Sequence, residues 1–208
     1  MVFRKQVIIS ASEDRLERLI EERLKSNNNK EEIDQKIWDL FGEEWCVMMT
    51  DLSGFSRNVE KYGIIHFLQT IYESQRILIP IIENYNGFLL KTEGDSLFVI
   101  FRNPVNALGA SIKMNQILDE YNQSKSPEEQ ILLCIGLGYG KVLKIGDSDI
   151  FGAEVNASSK LGEDIAKAKE ILVTENFKNV VENHFPHIKF EKLDYTPPGS
   201  LGAYKVLY

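Results

Sequence analysis

Residues 45–56 read WCVMMTDLSGFS. From Trp45 to Thr50 the run is apolar almost throughout, and it stops at Asp51, as expected of a strand buried on both faces. Leu52-Ser53-Gly54-Phe55-Ser56 then opens a long helix from Val59 to Tyr85, with Phe67, Leu68, Ile71, Ile77, Leu78, Ile81 and Ile82 as its apolar positions. Pro80 inside that stretch predicts a kink or a break, because proline lacks the N–H that a helix interior uses. Asn86-Gly87 ends the helix. Phe88 to Lys91 and Leu97 to Phe101 read as two strands around the turn Thr92-Glu93-Gly94-Asp95, with glycine where positive φ is cheap.

Further along, Pro104 to Tyr121 reads as an amphipathic helix with proline in its first turn, and Ser124 to Glu129 as a loop. Strands are expected at Ile131–Gly140 and Val142–Ile145, a helix at Ala153–Ala168, and a strand at Glu170–Val173. A helix at Thr174–His184 and strands at Ile188–Leu193 and Ala203–Leu207 complete the chain. The order β-α-β-β-α-β with appended elements is the α+β, split-βαβ, ferredoxin-like plan. It implies a largely antiparallel sheet with helices on one face.

Upstream of Trp45 the texture is polar and helical. Ser10 and Glu13 resemble a capping box, after which Leu16, Leu19, Ile20 and Leu24 share one face. Residues 26–30 (SNNNK) break the pattern, and Ile33, Ile37, Leu40 and Phe41 form the apolar side of a second helix. The chain thus divides into an N-terminal helical extension, residues 1–42, and one domain, residues 43–208. Stripes of this length suit either the flank of the domain or a dimerisation partner.

Composition narrows the function classes. With 208 residues, 43% of them apolar, the chain can bury one full core. Its net charge of -7 and the lack of any basic run argue against a nucleic-acid partner, because duplex affinity needs clustered Lys and Arg. No apolar run approaches the ~20 residues that span a bilayer, and the start lacks the pattern of a signal peptide, so a cytoplasmic protein is expected. Cys46 and Cys134 sit inside apolar runs and read as free, buried thiols in a reducing compartment. His184 and His187 lie one helical turn apart without a third ligand, which suits a surface helix end better than a metal site.

Two carboxylates stand at strand ends. Asp51 closes the first strand and Asp95 lies in the hairpin turn, and a ferredoxin-like sheet brings both to one edge. Hard oxygen ligands on adjacent strands are what Mg²⁺ or Mn²⁺ needs when it bridges triphosphate oxygens, although structural capping explains such aspartates equally well. The N–H groups that open the following helix suit phosphate.

Four ordered motifs carry a resemblance. Asp51-Leu52-Ser53-Gly54-Phe55-Ser56 resembles the D-[IL]-x-G-F-[ST] signature of class III adenylate and guanylate cyclases. Lys91-Thr92-Glu93-Gly94-Asp95 is similar to their K-x-x-G-D turn, and residues 135–142 (IGLGYGKV) to their G-[IL]-x-x-G-x-V strand. Residues 149–161 (DIFGAEVNASSKL) resemble D-[IVF]-[WFY]-G-x-x-V-N-x-A-[SA]-R-L. The resemblance spans about residues 45–208 and implies the class III nucleotide cyclase fold. By the same resemblance, Asp51, Asp95 and the Leu52 carbonyl would hold two Mg²⁺ or Mn²⁺ ions per site, and Phe55 and Ser56 would hold phosphate. Lys91 and Asp149 would read the base, with Asp147 as a competing candidate for the carboxylate. Asn156 would orient the ribose, and Lys160 stands where the family usually carries arginine.

A Lys donor paired with an Asp acceptor matches adenine, whose N1 accepts and whose exocyclic amine donates. The implied activity is therefore conversion of ATP to 3′,5′-cyclic AMP and pyrophosphate, in a homodimer whose two sites each draw on both chains. A non-catalytic nucleotide-binding or dimerisation module of the same fold, or a cyclase for GTP or a pyrimidine nucleotide, is the alternative. Gly202 aligns where many relatives carry a lysine, and Lys205 is expected on the other face of that strand. The segment from Gly140 to Asp149 is shorter than the family's hairpin arm, which shifts the expected dimer contacts toward other surfaces, the N-terminal helices among them.

Overall fold

The apolar run from Trp45 becomes the centre of a strand, β1 (Gly42–Leu52), in a computed structural model that describes residues 11–25, 27–54, 62–147 and 149–208. Its neighbours are β3 (Ser96–Phe101) and β4 (Leu133–Ile145), both antiparallel to it, and β2 (Gly87–Glu93) pairs with β3. Continuing past β4 come β6 (Ile171–Thr174), β8 (Ala203–Leu207) and β7 (Lys189–Lys192), giving the order β2-β3-β1-β4-β6-β8-β7. A short β5 (Asp149–Phe151) folds back on the far end of β4. The first four strands have the split-βαβ arrangement expected from the sequence, and β4 with β6 is the parallel pair in this largely antiparallel sheet.

Alternation along the strands creates two different faces. Cys46, Met48, Leu97, Val99, Phe101, Leu133, Ile135, Leu137, Ile171 and Val173 point one way. Helices α3 (Ile64–Asn84) and α4 (Pro104–Asn122) cover them, together with α6 (Glu175–Val181), whose Phe177 and Val181 are buried there. Trp45, Val47, Phe98, Ile100, Val142 and Ile150 point the other way. On that second face lie α5 (Ala153–Ser159) and the wide π turn Lys160–Ile165, so the helices are not all on one side.

Glycines admit α5. A Cβ on Gly138 would lie 2.7 Å from the Glu154 carbonyl oxygen, and one on Gly136 would strike the carbonyl of Ser158 and the amide of Gly162. This alternation of glycine along β4 lets a helix rest directly on the strand backbone.

Three local expectations are corrected. Helix α3 runs unbroken through Pro80, which lies on the exposed side while Leu78, Ile81 and Ile82 stay buried. The Arg76 carbonyl that Pro80 leaves without its helical partner is therefore on the solvent side. The two strands expected at Ile131–Gly140 and Val142–Ile145 are one strand of 13 residues, because β1 pairs with it continuously from Gly42↔Leu143 to Leu52↔Leu133. The helix expected at Ala153–Ala168 stops being α at Ser159, where the chain widens into the π turn as Gly162 passes against Met49 and Gly136.

At the free end of β4, α1 (Ala11–Leu24) and α2 (Lys30–Phe41) close a small cluster of Leu19, Ile33, Ile37 and Phe41 around Ile145, joined by Arg23–Asp34. The expected cap at Ser10 lies outside the described residues. Cys46 and Cys134 are free and buried, and both imidazoles at His184 and His187 are exposed, as the sequence implied. No helix among the described residues is long and apolar enough to cross a membrane.

Candidate active site

The alternation that buries Trp45 and Val47 carries Asp51 onto the second face, at the last turn of β1 before Ser53, whose N–H donates to the Leu132 carbonyl at 2.8 Å. The hairpin between β2 and β3 turns on Gly94 at φ 61° and delivers Asp95 against it. Thr50 fixes this approach: its fully buried hydroxyl oxygen accepts the Leu97 N–H at 3.1 Å, tying β1 to the strand that starts just after Asp95.

The two carboxyl groups lie near enough to act on each other. Burial, then the Asp95 charge and its hydrogen-bonding contact, push the Asp51 carboxyl up to about 7, against a lowering contribution from the Leu52 N–H. Asp95 Oδ2 is buried without a hydrogen-bond partner. An orphaned carboxylate oxygen beside a second acid is a liability for the folded chain and a ready ligand for a hard cation. The donor set therefore fits Mg²⁺ or Mn²⁺. Among the described residues no cluster of three or more His, Cys, Asp or Glu side chains that could hold a metal ion forms. Leu52 itself is buried at the end of β1. Phe55 and Ser56 lie outside the described residues.

A second group forms on β2, two residue pairs back from the hairpin turn. A register irregularity between Leu89 and Lys91 turns Lys91 onto the second face, where its Nζ lies 5.5 Å from the centre of the Phe98 ring. That nitrogen is 3.1 Å from a Glu93 oxygen and 3.6 Å from Asp149 Oδ1. Glu93 is the larger influence raising the Lys91 pKa, and Asp149 adds to it. Asp147, the competing candidate, is fully exposed and pairs with Lys144 at 3.0 Å. Asp149 holds its place through β5, and its Oδ1 accepts its neighbour's N–H from Ile150 at 3.0 Å.

Asn156 and Lys160 follow on α5 and the π turn, both exposed. Lys160 Nζ is 2.5 Å from Asp164 Oδ2, and that contact raises its pKa. Gly202 is where a longer side chain would press on Glu175, since a Cβ there would be 2.7 Å from Glu175 Oε2. Lys205 turns to Glu170 at 2.7 Å, away from Gly202 as strand alternation requires.

Sequence reading missed three residues in this region. Thr50 passed as the polar end of an apolar strand, and Glu93 as one letter of a turn. Glu154 was not singled out at all, although the structure buries it to 3% exposure. The signal for Glu154 lay in β4, where Gly136, Gly138 and Gly140 alternate and announce a close-packed element.

A split antiparallel sheet with paired acids at the end of its central strand, and a lysine–aspartate pair on the same face, defines a nucleotide cyclase type of domain. The model of the adenylate and guanylate cyclase catalytic domain matches residues 42–197, and the chain belongs to that family. It is 26% identical over 129 residues to the serine/threonine-protein kinase pkn2 of Myxococcus xanthus, covering 62% of this chain and 15% of the kinase. It is 25% identical over 116 residues to a Rhizobium meliloti (strain 1021) protein named "Putative adenylate cyclase 3", covering 56% of this chain and 20% of that protein. The chain thus spans a small part of the length of the curated relatives it matches. Among solved structures, an adenylate/guanylate cyclase/hydrolase from Silicibacter pomeroyi shares the fold with a TM-score of 0.67 at 22% identity, over 80% of this chain and 98% of that one.

Proposed function

We propose that the domain at residues 43–208 is a cytoplasmic adenylate cyclase that converts ATP to 3′,5′-cyclic AMP and pyrophosphate in a homodimer. The observation that carries this reading is the Asp51–Asp95 contact with its partnerless buried oxygen. Two divalent cations held by Asp51, Asp95 and the Leu52 carbonyl would supply charge stabilisation at the α-phosphate and hold the terminal phosphates.

The chain's own residues do the rest. Lys91 donates to adenine N1 and Asp149 accepts from the exocyclic amine, and their 3.6 Å separation lets both reach one base edge. Asn156 orients the ribose so that its 3′-hydroxyl faces the α-phosphorus in line. Backbone amides at Phe55 and Ser56 hold phosphate oxygens. Lys160 brings positive charge to the phosphorus undergoing substitution, leaving Asp164 to do so. As a compact ammonium it cannot make the bidentate contact of the usual arginine, so a modest rate is expected. The residues fall into two groups, metal-holding and base-and-ribose-holding, and a second copy of the chain completes each site with the group the first does not supply. The extension at residues 1–42 contributes to pairing of the copies.

One observation favours each alternative. The Lys160–Asp164 contact supports a binding module without catalysis, since the cation is already occupied. The closer approach of Glu93 to Lys91 supports a different base, because a carboxylate there could accept from guanine N1–H. Incubation with each of the four nucleoside triphosphates and Mn²⁺ decides among them. Cyclic AMP with pyrophosphate from ATP is the expected result. Another cyclic product would move the base assignment, and no cyclic product with nucleotide still bound would establish the module.

A further inference from the structure

The half-site on α5 poses a mechanical problem. Helix α5 has only 7 residues, its N-cap is Gly152 with no side-chain hydrogen bond, and beyond it the chain opens into a π turn. A helix that short has little stability of its own, yet it carries Asn156 and leads into Lys160. Something outside the helix must fix its position on the sheet.

Glu154 is placed to do that. Its Oε2 accepts the Tyr139 N–H at 3.1 Å and the Thr174 hydroxyl at 2.7 Å, and its Oε1 accepts from Asn176 Nδ2 at 2.6 Å. One buried carboxylate therefore joins α5 to β4, to the end of β6 and to the start of α6. Thr174 is itself the N-cap of α6, accepting the Phe177 N–H at 3.3 Å, so the same hydroxyl serves both helices. The glycines beneath leave no slack, because Gly140 approaches the Glu154 side chain and Gly138 its backbone. All three partners are neutral donors, which an ionised carboxylate matches and an amide does not.

We infer that Glu154 is a positioning residue: its carboxylate, held by Tyr139, Thr174 and Asn176, sets α5 on β4 so that Asn156 and Lys160 face the bound nucleotide. The inference rests on the proposed cyclase reading for its catalytic consequence and on geometry alone for the positioning. Glu154→Gln presents an N–H₂ group to at least one donor, and Asn176→Ala removes one donor while sparing the other two.

Both variants of the full chain are compared with wild type by amide hydrogen exchange and by steady-state kinetics with ATP and Mn²⁺. Exchange at residues 155–160 should speed up about 10-fold or more in Glu154→Gln while β1 and β3 amides keep their wild-type protection. In the same variant kcat should fall about 10- to 100-fold with KM within about twofold, since a small misplacement of reacting groups costs that much. Asn176→Ala should show both effects at smaller size, and it decides the matter if Glu154→Gln fails to fold. Unchanged exchange at α5, exchange raised evenly across the sheet, or a wild-type kcat in the variants would each overturn the inference. A wild-type chain that makes no cyclic product would refute the activity, and the exchange pattern alone would then decide the positioning.

Discussion

Replacing Asp51 with asparagine should make the metal-free protein more stable. Asp51 is forced against Asp95, and its carboxyl is raised from 3.8 to about 7 by burial and by that neighbour. A carboxyl whose folded pKa exceeds its unfolded one binds its proton more tightly in the folded state. Stability therefore falls as pH rises from about 4 to 7, and the full penalty persists above 7. At about 1.4 kcal/mol per pH unit the interval corresponds to at most about 4 kcal/mol. Asp51 is only half-buried, so solvent screening reduces this to about 1–2 kcal/mol.

In a domain of this size that is a rise in Tm of about 2–8 °C for Asp51→Asn over wild type. The measurement is thermal unfolding by circular dichroism at pH 8 with a chelator, repeated near pH 4, where the two proteins should melt together. Adding excess Mn²⁺ at pH 8 should then raise the wild-type Tm and raise that of the variant much less. A variant that melts below wild type at pH 8 in chelator would refute the idea that the two acids oppose each other in the folded chain. A variant that gains as much from Mn²⁺ as wild type would refute Asp51 as a ligand.

Other substitutions probe the remaining groups. Asp95→Ala should abolish cyclic nucleotide formation in a product assay, while its metal-free Tm does not fall. Lys91→Glu should reduce kcat/KM for ATP by about 100-fold, a loss of about 3 kcal/mol, and reduce that for GTP much less, because only adenine N1 needs the donor. Mixing Asp51→Ala chains with Asn156→Ala chains should restore activity absent from either alone, read as product formed against the mixing ratio. Gly138→Ala should cost about 1–3 kcal/mol in a denaturant melt, since its Cβ would press on the Glu154 backbone.

Much of the sheet could be read from single letters. The change from apolar to acidic at Asp51 marked the end of β1, and Gly94 marked the turn that returns as β3. Gly152 after Asp149-Ile150-Phe151 marked the start of α5. Each of these signals is local: a strand end, a positive φ, a helix entry. What stayed hidden depends on partners far along the chain. Pro80 was read as a kink or a break because the sequence does not say that it falls on the solvent side of α3. The continuity of β4 comes from β1, which pairs with it along its full length. Burial of Glu154 follows from Gly138 and Gly140 on β4 and from Thr174 and Asn176 on elements that come later. An acid in a first helical turn has an ordinary explanation in the helix dipole, so its sequence context gave no reason to look further.

The site's electrostatics bear on how a chain of net charge -7 would receive the polyanion of the proposed reaction. The two lysines proposed to meet the nucleotide are paired with acids of the same chain, Lys91 with Glu93 and Asp149, Lys160 with Asp164. Glu163 adds its negative field at Asp51. A bare triphosphate would meet the Asp51–Asp95 pair with Glu163 nearby, and the pairings of both lysines would resist it. A triphosphate arriving with divalent cations meets the opposite situation. On the proposed reading its cations would relieve the Asp51–Asp95 repulsion, and its remaining charge would compete with Asp164 for Lys160. The pairings of Lys160 and Lys91 are exposed and cost little to exchange, whereas the acid pair is partly buried and gains most from a cation. Nucleotide affinity should therefore depend on divalent metal far more steeply than on monovalent salt.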